Sequence, residues 1–175
     1  MVIKLVIGLG NPGKSYATMR HNLGYRVVDR LSENPLLKAG LYKPSDVFMN
    51  SSGIPVAALA RKKGLKPEEI LVVCDDFSIP LGSLRIRLQG SSGGHNGLDS
   101  ILSSLSTQGI PRLRMGIGPV PEGRDPADFV LESFRSEEKH KAEEMIDLAA
   151  KAVETALEEG IETAMNRYNK REVAG

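Results

Sequence analysis

Tryptophan is absent, and only four Phe and four Tyr are spread over 175 residues, so the chain lacks the aromatic platforms on which readers of single-stranded nucleic acid stack bases. Contact with nucleic acid would fall mainly on phosphates. A single cysteine, Cys74, cannot close an internal disulfide. Long apolar runs are missing as well: the first, Val2 to Leu9, is too short for a signal peptide or a membrane span. Neither sign of charge dominates, with 23 Lys and Arg against 22 Asp and Glu, so net charge does not announce a nucleic-acid partner. These absences leave a cytosolic enzyme or binding protein. At 19.0 kDa the chain reads as one compact domain, residues 1–175.

The distribution of charge says more than its sum. Residues 1–135 hold 17 basic and 12 acidic side chains, whereas residues 136–175 hold 6 basic and 10 acidic. Basic surface therefore belongs to the body and not to the tail.

Strand and helix patterns alternate along the body. Val2 to Ile7 is β-branched and apolar and runs into Gly8-Leu9-Gly10-Asn11-Pro12-Gly13, a buried strand entering a tight loop. Asn22 to Leu31 places Leu23, Val27, Val28 and Leu31 at helical spacing, closed by Asn34-Pro35. Val47-Phe48-Met49 is read as a short strand, and a helix carrying Val56, Leu59 and Ala60 follows up to Gly64. Ile70 to Cys74 is the most strand-like run and ends abruptly in Asp75-Asp76. Ser83 to Leu88 and Arg112 to Gly118 both alternate, with Arg85, Arg87, Arg112 and Arg114 on the outward faces. Gly97 to Leu105 reads as a helix. Ser136 reads as the N-cap of a long helix that ends at Gly160, and a further helix reaches Tyr168. The expected fold is a three-layer α/β domain, a mixed and mostly parallel sheet with helices on both faces, antiparallel at Ser83–Leu88.

Three chemistries compete for the polar motifs. Gly8 to Gly13 matches G-x-G-x-x-G after a strand, but Lys14 to Arg20 is polar and aperiodic where a dinucleotide fold opens a helix. Nor does an acidic residue end a second strand about 20 positions on. A zinc site from His21, Cys74, Asp75 and His95 lacks any close pair at ligand spacing, so no metal is assigned. No G-x-S-x-G elbow is present, and Cys74 sits in an apolar run. His21 stands out because Asn11, Asn50 and Asp75-Asp76 fall at comparable strand ends, where α/β sheets bind ligands. A histidine with a carboxylate is the minimal pair for activating water. Ser91 to Gly97 is a second glycine-rich loop, containing His95 and Asn96 and entering a helix.

Gly8-Leu9-Gly10-Asn11-Pro12-Gly13, Tyr16, Arg20-His21-Asn22-Leu23-Gly24, Phe48-Met49-Asn50-Ser51-Ser52-Gly53 and Gly93-Gly94-His95-Asn96-Gly97, in this order, resemble the bacterial peptidyl-tRNA hydrolases. The resemblance runs from Ile3 to about Tyr168. It implies a monomeric, cytoplasmic esterase of translation, needing neither metal nor other cofactor, that cuts peptidyl-tRNA between the peptide's C-terminal carbonyl and the 3′ ribose. His21 matches the family's catalytic base and Asp75 the carboxylate that orients it. Asn11, Tyr16, Asn50, His95 and Asn96 match substrate-binding positions, and Arg87 and Arg114 match positions that meet the tRNA 5′ phosphate.

One interval departs from the family pattern. His21 and Asn50 are only 29 residues apart, and the family has an extra hairpin's worth of chain there; either the sheet has lost edge strands or a segment is missing from the chain. The competing class is a non-catalytic RNA-binding relative on the same fold. Such a protein would have no need of His21 together with Asp75.

Overall fold

The computed structural model describes residues 2–170, 172 and 173. A five-stranded sheet organises them, built from β1 (Leu5–Gly8), β2 (Leu41–Tyr42), β3 (Ile70–Pro80), β4 (Leu84–Arg87) and β5 (Arg112–Gly118). In space the strands run β2, β1, β3, β5, β4. Only β4 is antiparallel to its neighbour, which is the mixed, mostly parallel sheet expected from the pattern. β1 and the first half of β3 are buried on both faces, as continuous apolar runs in a parallel sheet must be.

Helices cover both faces. Leu23, Val27 and Leu31 of α1 (Leu23–Leu31) pack one face together with α5 (Lys139–Glu159) and α6 (Ile161–Tyr168). Val56 and Ala60 of α2 (Gly53–Lys63) pack the other with Leu98, Ile101 and Leu102 of α3 (Asn96–Leu105). A one-turn helix, α4 (Pro126–Phe129), lies beyond β5 and buries Phe129 in the α1 side.

Three local readings need correction. Val47-Phe48-Met49 forms no strand; the edge strand is Leu41–Tyr42, and Met49 opens a 3₁₀ turn. The chain leaves the sheet at Pro44, which has no N–H to donate, and the Met49 N–H goes to the Asn11 side chain at 2.7 Å. Ser136 starts a 3₁₀ turn with Arg135 at its N-cap, and α5 proper begins at Lys139. Arg112, expected on an outward face, is completely buried. Its guanidinium meets four backbone carbonyls, those of Ile110, Ser91, Gly90 and Gln108. The loop after β4 folds over that part of the sheet face, and the carbonyls satisfy a charge that alternation alone assigns to solvent.

The shortened interval after α1 yields a sheet edge of just two residues. β2 pairs with β1 through Leu41 and Tyr42, and Tyr25 Oη donates to the Pro44 carbonyl at 2.9 Å. The Tyr25 hydroxyl is thereby committed, and burial pushes it up to about 12.

α1 reaches the sheet by close backbone approach. A Cβ on Gly24 would lie 2.3 Å from the Val73 carbonyl oxygen and 2.4 Å from the Leu9 nitrogen, distances no side chain tolerates. Replacing Gly24 by Ala should therefore lift the first turn of α1 off β1 and β3, at a cost of about 3 kcal/mol. Thermal unfolding should show Tm lowered by roughly 6 to 12 °C; an unchanged Tm would mean that the contact relaxes freely.

Candidate active site

The loops that follow β1 and β4 meet over β3 just past its last pairing with β1, Gly8 with Val73; Asp75 and Asp76, read from the sequence as the strand's end, lie inside β3, which continues to Pro80. Between β1 and α1 the chain makes a buried 3₁₀ turn, Arg20–Asn22. Asn22 fastens this turn to the first loop: its Oδ1 accepts from the Asn11 N–H, and its Nδ2 donates to the Asn11 carbonyl, both at 2.9 Å. From the other side the His21 N–H donates to the Val130 carbonyl at 2.8 Å. The turn that carries the imidazole is thus fixed before the ring's own partner is counted.

That partner is Asp75, 2% exposed on β3. His21 Nδ1 lies 2.9 Å from each carboxylate oxygen. His95 approaches the same carboxylate, with Nε2 at 3.0 Å from Oδ1. His95 is also the N-cap of α3, where its Nδ1 accepts the Leu98 N–H at 3.2 Å. An acceptor at Nδ1 puts the proton on Nε2, so the neutral His95 donates to Asp75 with one nitrogen and accepts with the other. His21 donates through Nδ1, which leaves its Nε2 with a free lone pair. Of the two rings, only His21 can take a proton from water.

Burial by itself would push the Asp75 carboxyl up. The two imidazoles beside it outweigh burial and hold it well below the usual carboxylate range.

His21, Asp75 and His95 bring their ligating atoms within 4.8 Å of one another, a juxtaposition that sequence spacing does not reveal. The donor set nevertheless does not suit a metal ion. The two nitrogens that face Asp75 carry protons, and freeing His95 Nε2 would force a proton onto the nitrogen that already accepts from Leu98. Cys74 takes no part in the cluster; it packs in the core beneath α2 and α3, where burial pushes its thiol up.

A cavity of about 330 Å³ opens beside these residues, within the range of small-molecule sites. Asn96, Phe77, Arg114 and the glycines of the second loop line it, with Asp125, Pro126, Ala127 and Val130 opposite. Gly93 and Gly94 have φ of 60° and 85°, a backbone turn that brings the loop over Arg114.

Asn11 is buried with its side-chain Oδ1 accepting from the Met49 N–H, and among the described residues nothing accepts from its Nδ2. Asn50 lies in the neighbouring 3₁₀ turn, exposed. Tyr16 stacks edge-on against the exposed Phe48, ring centroids 6.0 Å apart. None of these three lines the cavity around His21. Arg87 is exposed on the sheet's edge strand, its Nη1 on the Ile86 carbonyl. Arg114 is split between tasks, donating to the Ser91 carbonyl at 2.8 Å and lying 3.5 Å from Asp76. Pairing of Arg85 with Arg114 and of Arg87 with Arg112 puts all four arginines on one face of the β4–β5 ladder.

With this geometry in view, the comparisons decide the family. The sequence model of the peptidyl-tRNA hydrolases matches residues 5–41 and 35–174. The chain belongs to that family. Its two matched stretches meet at residues 35–41, inside the interval where the chain is short. A peptidyl-tRNA hydrolase of Methylacidiphilum infernorum is 45% identical over 183 residues, covering 96% of this chain and 98% of that protein. One from Elusimicrobium minutum is 44% identical over 187 residues, covering 97% and 100%. The crystal structure of the peptidyl-tRNA hydrolase of Acinetobacter baumannii superposes with a TM-score of 0.87 at 30% identity, covering 97% of this chain and 96% of that one. Both sequence alignments are longer than this chain, as expected where relatives carry extra residues.

The depressed Asp75 carboxyl makes stability depend on acid in one direction. In the unfolded chain an aspartate protonates near pH 4, whereas in the native state it stays ionised to lower pH. The unfolded state therefore binds the proton first, and acid favours unfolding. This contribution is complete above about pH 4 and disappears as pH falls through the native value. Urea titrations should show the midpoint falling below pH 4 with a shallower slope in Asp75→Asn than in the wild type; equal slopes would remove Asp75 as the origin.

Proposed function

We propose that this chain hydrolyses the ester between the C-terminal carbonyl of a peptide and the 3′ ribose of tRNA, returning the tRNA to translation. The reading is carried by one observation: Asp75 holds His21 through Nδ1 and leaves Nε2 free beside the cavity. Water gives a proton to Nε2 as its oxygen forms a bond to the ester carbonyl. The buried carboxylate stabilises the imidazolium that results. As the tetrahedral intermediate collapses, the bond to the 3′ oxygen breaks and that oxygen takes the proton back from Nε2. Water's hydroxyl remains on the peptide as its carboxyl group.

Substrate is held by amide groups left without a hydrogen-bonding partner among the described residues. Asn11 Nδ2 and the side chains of Asn50 and Asn96 meet no described hydrogen-bonding partner, so they supply donors and acceptors for the peptide and the terminal nucleoside, with Tyr16 beside them. His95 acts by holding Asp75 rather than by taking a proton. Arg87, with no carboxylate within 4.0 Å among the described residues, serves the tRNA 5′ phosphate, for which a guanidinium fork is suited. Arg114 contributes there while also bracing the loop of His95. We take residues 1–175 as one domain, acting as a monomer in the cytoplasm; no described helix is long and apolar enough to cross a membrane.

A non-catalytic RNA-binding protein on this fold would gain nothing from a buried carboxylate shared by two imidazoles. For hydrolysis, the arrangement supplies the base.

His21→Ala should lower turnover of an N-acetylated aminoacyl-tRNA by about 10²- to 10⁴-fold with binding of the uncleaved tRNA retained. Full turnover by that variant would remove His21 as the base. Arg87→Ala should weaken binding of whole tRNA substrates irrespective of their sequence and flatten the salt dependence by about one unit of slope. A peptide esterified to a short 3′ fragment should be cleaved by Arg87→Ala as by the wild type; equal losses on both substrates would take Arg87 away from the phosphate.

A further inference from the structure

Arg20, next to the proposed base, is 2% exposed, and every partner of its side chain comes from one distant segment. Its Nη1 donates to the Ser133 carbonyl at 2.9 Å and the Glu132 carbonyl at 3.3 Å, and its Nη2 meets Glu138 Oε1 at 2.8 Å. The guanidinium carbon stands 4.2 Å from the centre of the Phe129 ring. The backbones are joined too: Arg20 N–H donates to the Glu132 carbonyl, His21 N–H to the Val130 carbonyl, and Met19 bridges Ser133. That segment begins where Asp125, Pro126, Ala127 and Val130 form one wall of the cavity. Arg20 Nε is buried and has no hydrogen-bond partner among the described residues, an unmet donor one residue from the proposed base.

We propose that Arg20 is a positioning residue for the hydrolysis, locking the turn that carries His21 and the cavity wall around Val130 into one rigid unit. The proposal rests on the reading of His21 as the base. Two carbonyls and a carboxylate at once need the planar fork of arginine; a lysine keeps the charge but not the three-point grip. Release of the clamp would let His21 shift relative to the carbonyl it serves, and displacement by about 1 Å costs on the order of 100-fold in rate.

The test compares wild type, Arg20→Lys, Arg20→Met, the double variant Arg20→Met with Glu138→Gln, and His21→Ala. For each, kcat and KM are measured on an N-acetylated aminoacyl-tRNA, with Tm and the downfield proton resonance of the His21–Asp75 hydrogen bond, identified by its loss in His21→Ala. Arg20→Met should lose about 10- to 100-fold in kcat with a much smaller change in KM, and its resonance should move or broaden. Arg20→Lys should recover part of kcat. The double variant, which also removes the charge of a largely buried carboxylate then held by Arg135 alone, should regain Tm but not kcat, and it keeps the test open if Arg20→Met does not fold. Wild-type kcat and resonance in the double variant would reduce Arg20 to a folding role and overturn the proposal. Full turnover by His21→Ala would instead overturn the reading of the base, whatever the Arg20 variants do.

Discussion

A carboxylate with almost no access to water, gripped from two sides by imidazoles, is the constraint around which the rest of the structure is arranged. Asp75 can stay ionised only because His21 and His95 both donate to it. Each ring is in turn held by backbone: His21 through the Val130 carbonyl and the Asn22 cross-link, His95 through the first turn of α3. Sheet, helix start and wall segment therefore converge on two oxygen atoms. The same network sorts two chemically identical side chains into different tasks, since only one ring has a nitrogen left over.

Much of this was legible in the sequence, and the reasons are local. Apolar β-branched runs named β1 and β3, and helical periodicity named α1 and α5. The abrupt change from Cys74 to Asp75 marked the place at which a carboxylate invites a ligand, although the strand itself runs on to Pro80, held there by pairing with β5 that the apolar pattern does not show. Spacing alone placed His21 near it only because α/β folds gather loops at that edge.

What escaped the sequence was decided by partners far along the chain. Alternation sends Arg112 to solvent, yet the Gly90–Ser91 loop closes over it, its carbonyls accepting from both Nη atoms while the Ile110 carbonyl accepts from Nε. β-propensity favours a strand at Val47–Met49, yet a side chain 38 residues away captures the Met49 N–H. The bond between His95 and Asp75 spans 20 residues, and the grip of Arg20 spans 112 to 118. Such contacts leave no periodic trace, because no period links a turn after β1 to a segment beyond β5.

At the far side of the sheet the two-residue strand β2 sets a different boundary. An edge strand offers unpaired N–H and C=O groups as a template on which a neighbouring chain can add itself. Here the template lasts for Leu41 and Tyr42 and is then ended by Lys43, a charge, and Pro44, a residue without an N–H. By giving up length at this edge, the protein also gives up the surface most prone to recruit other strands, and so its margin protects itself against aggregation.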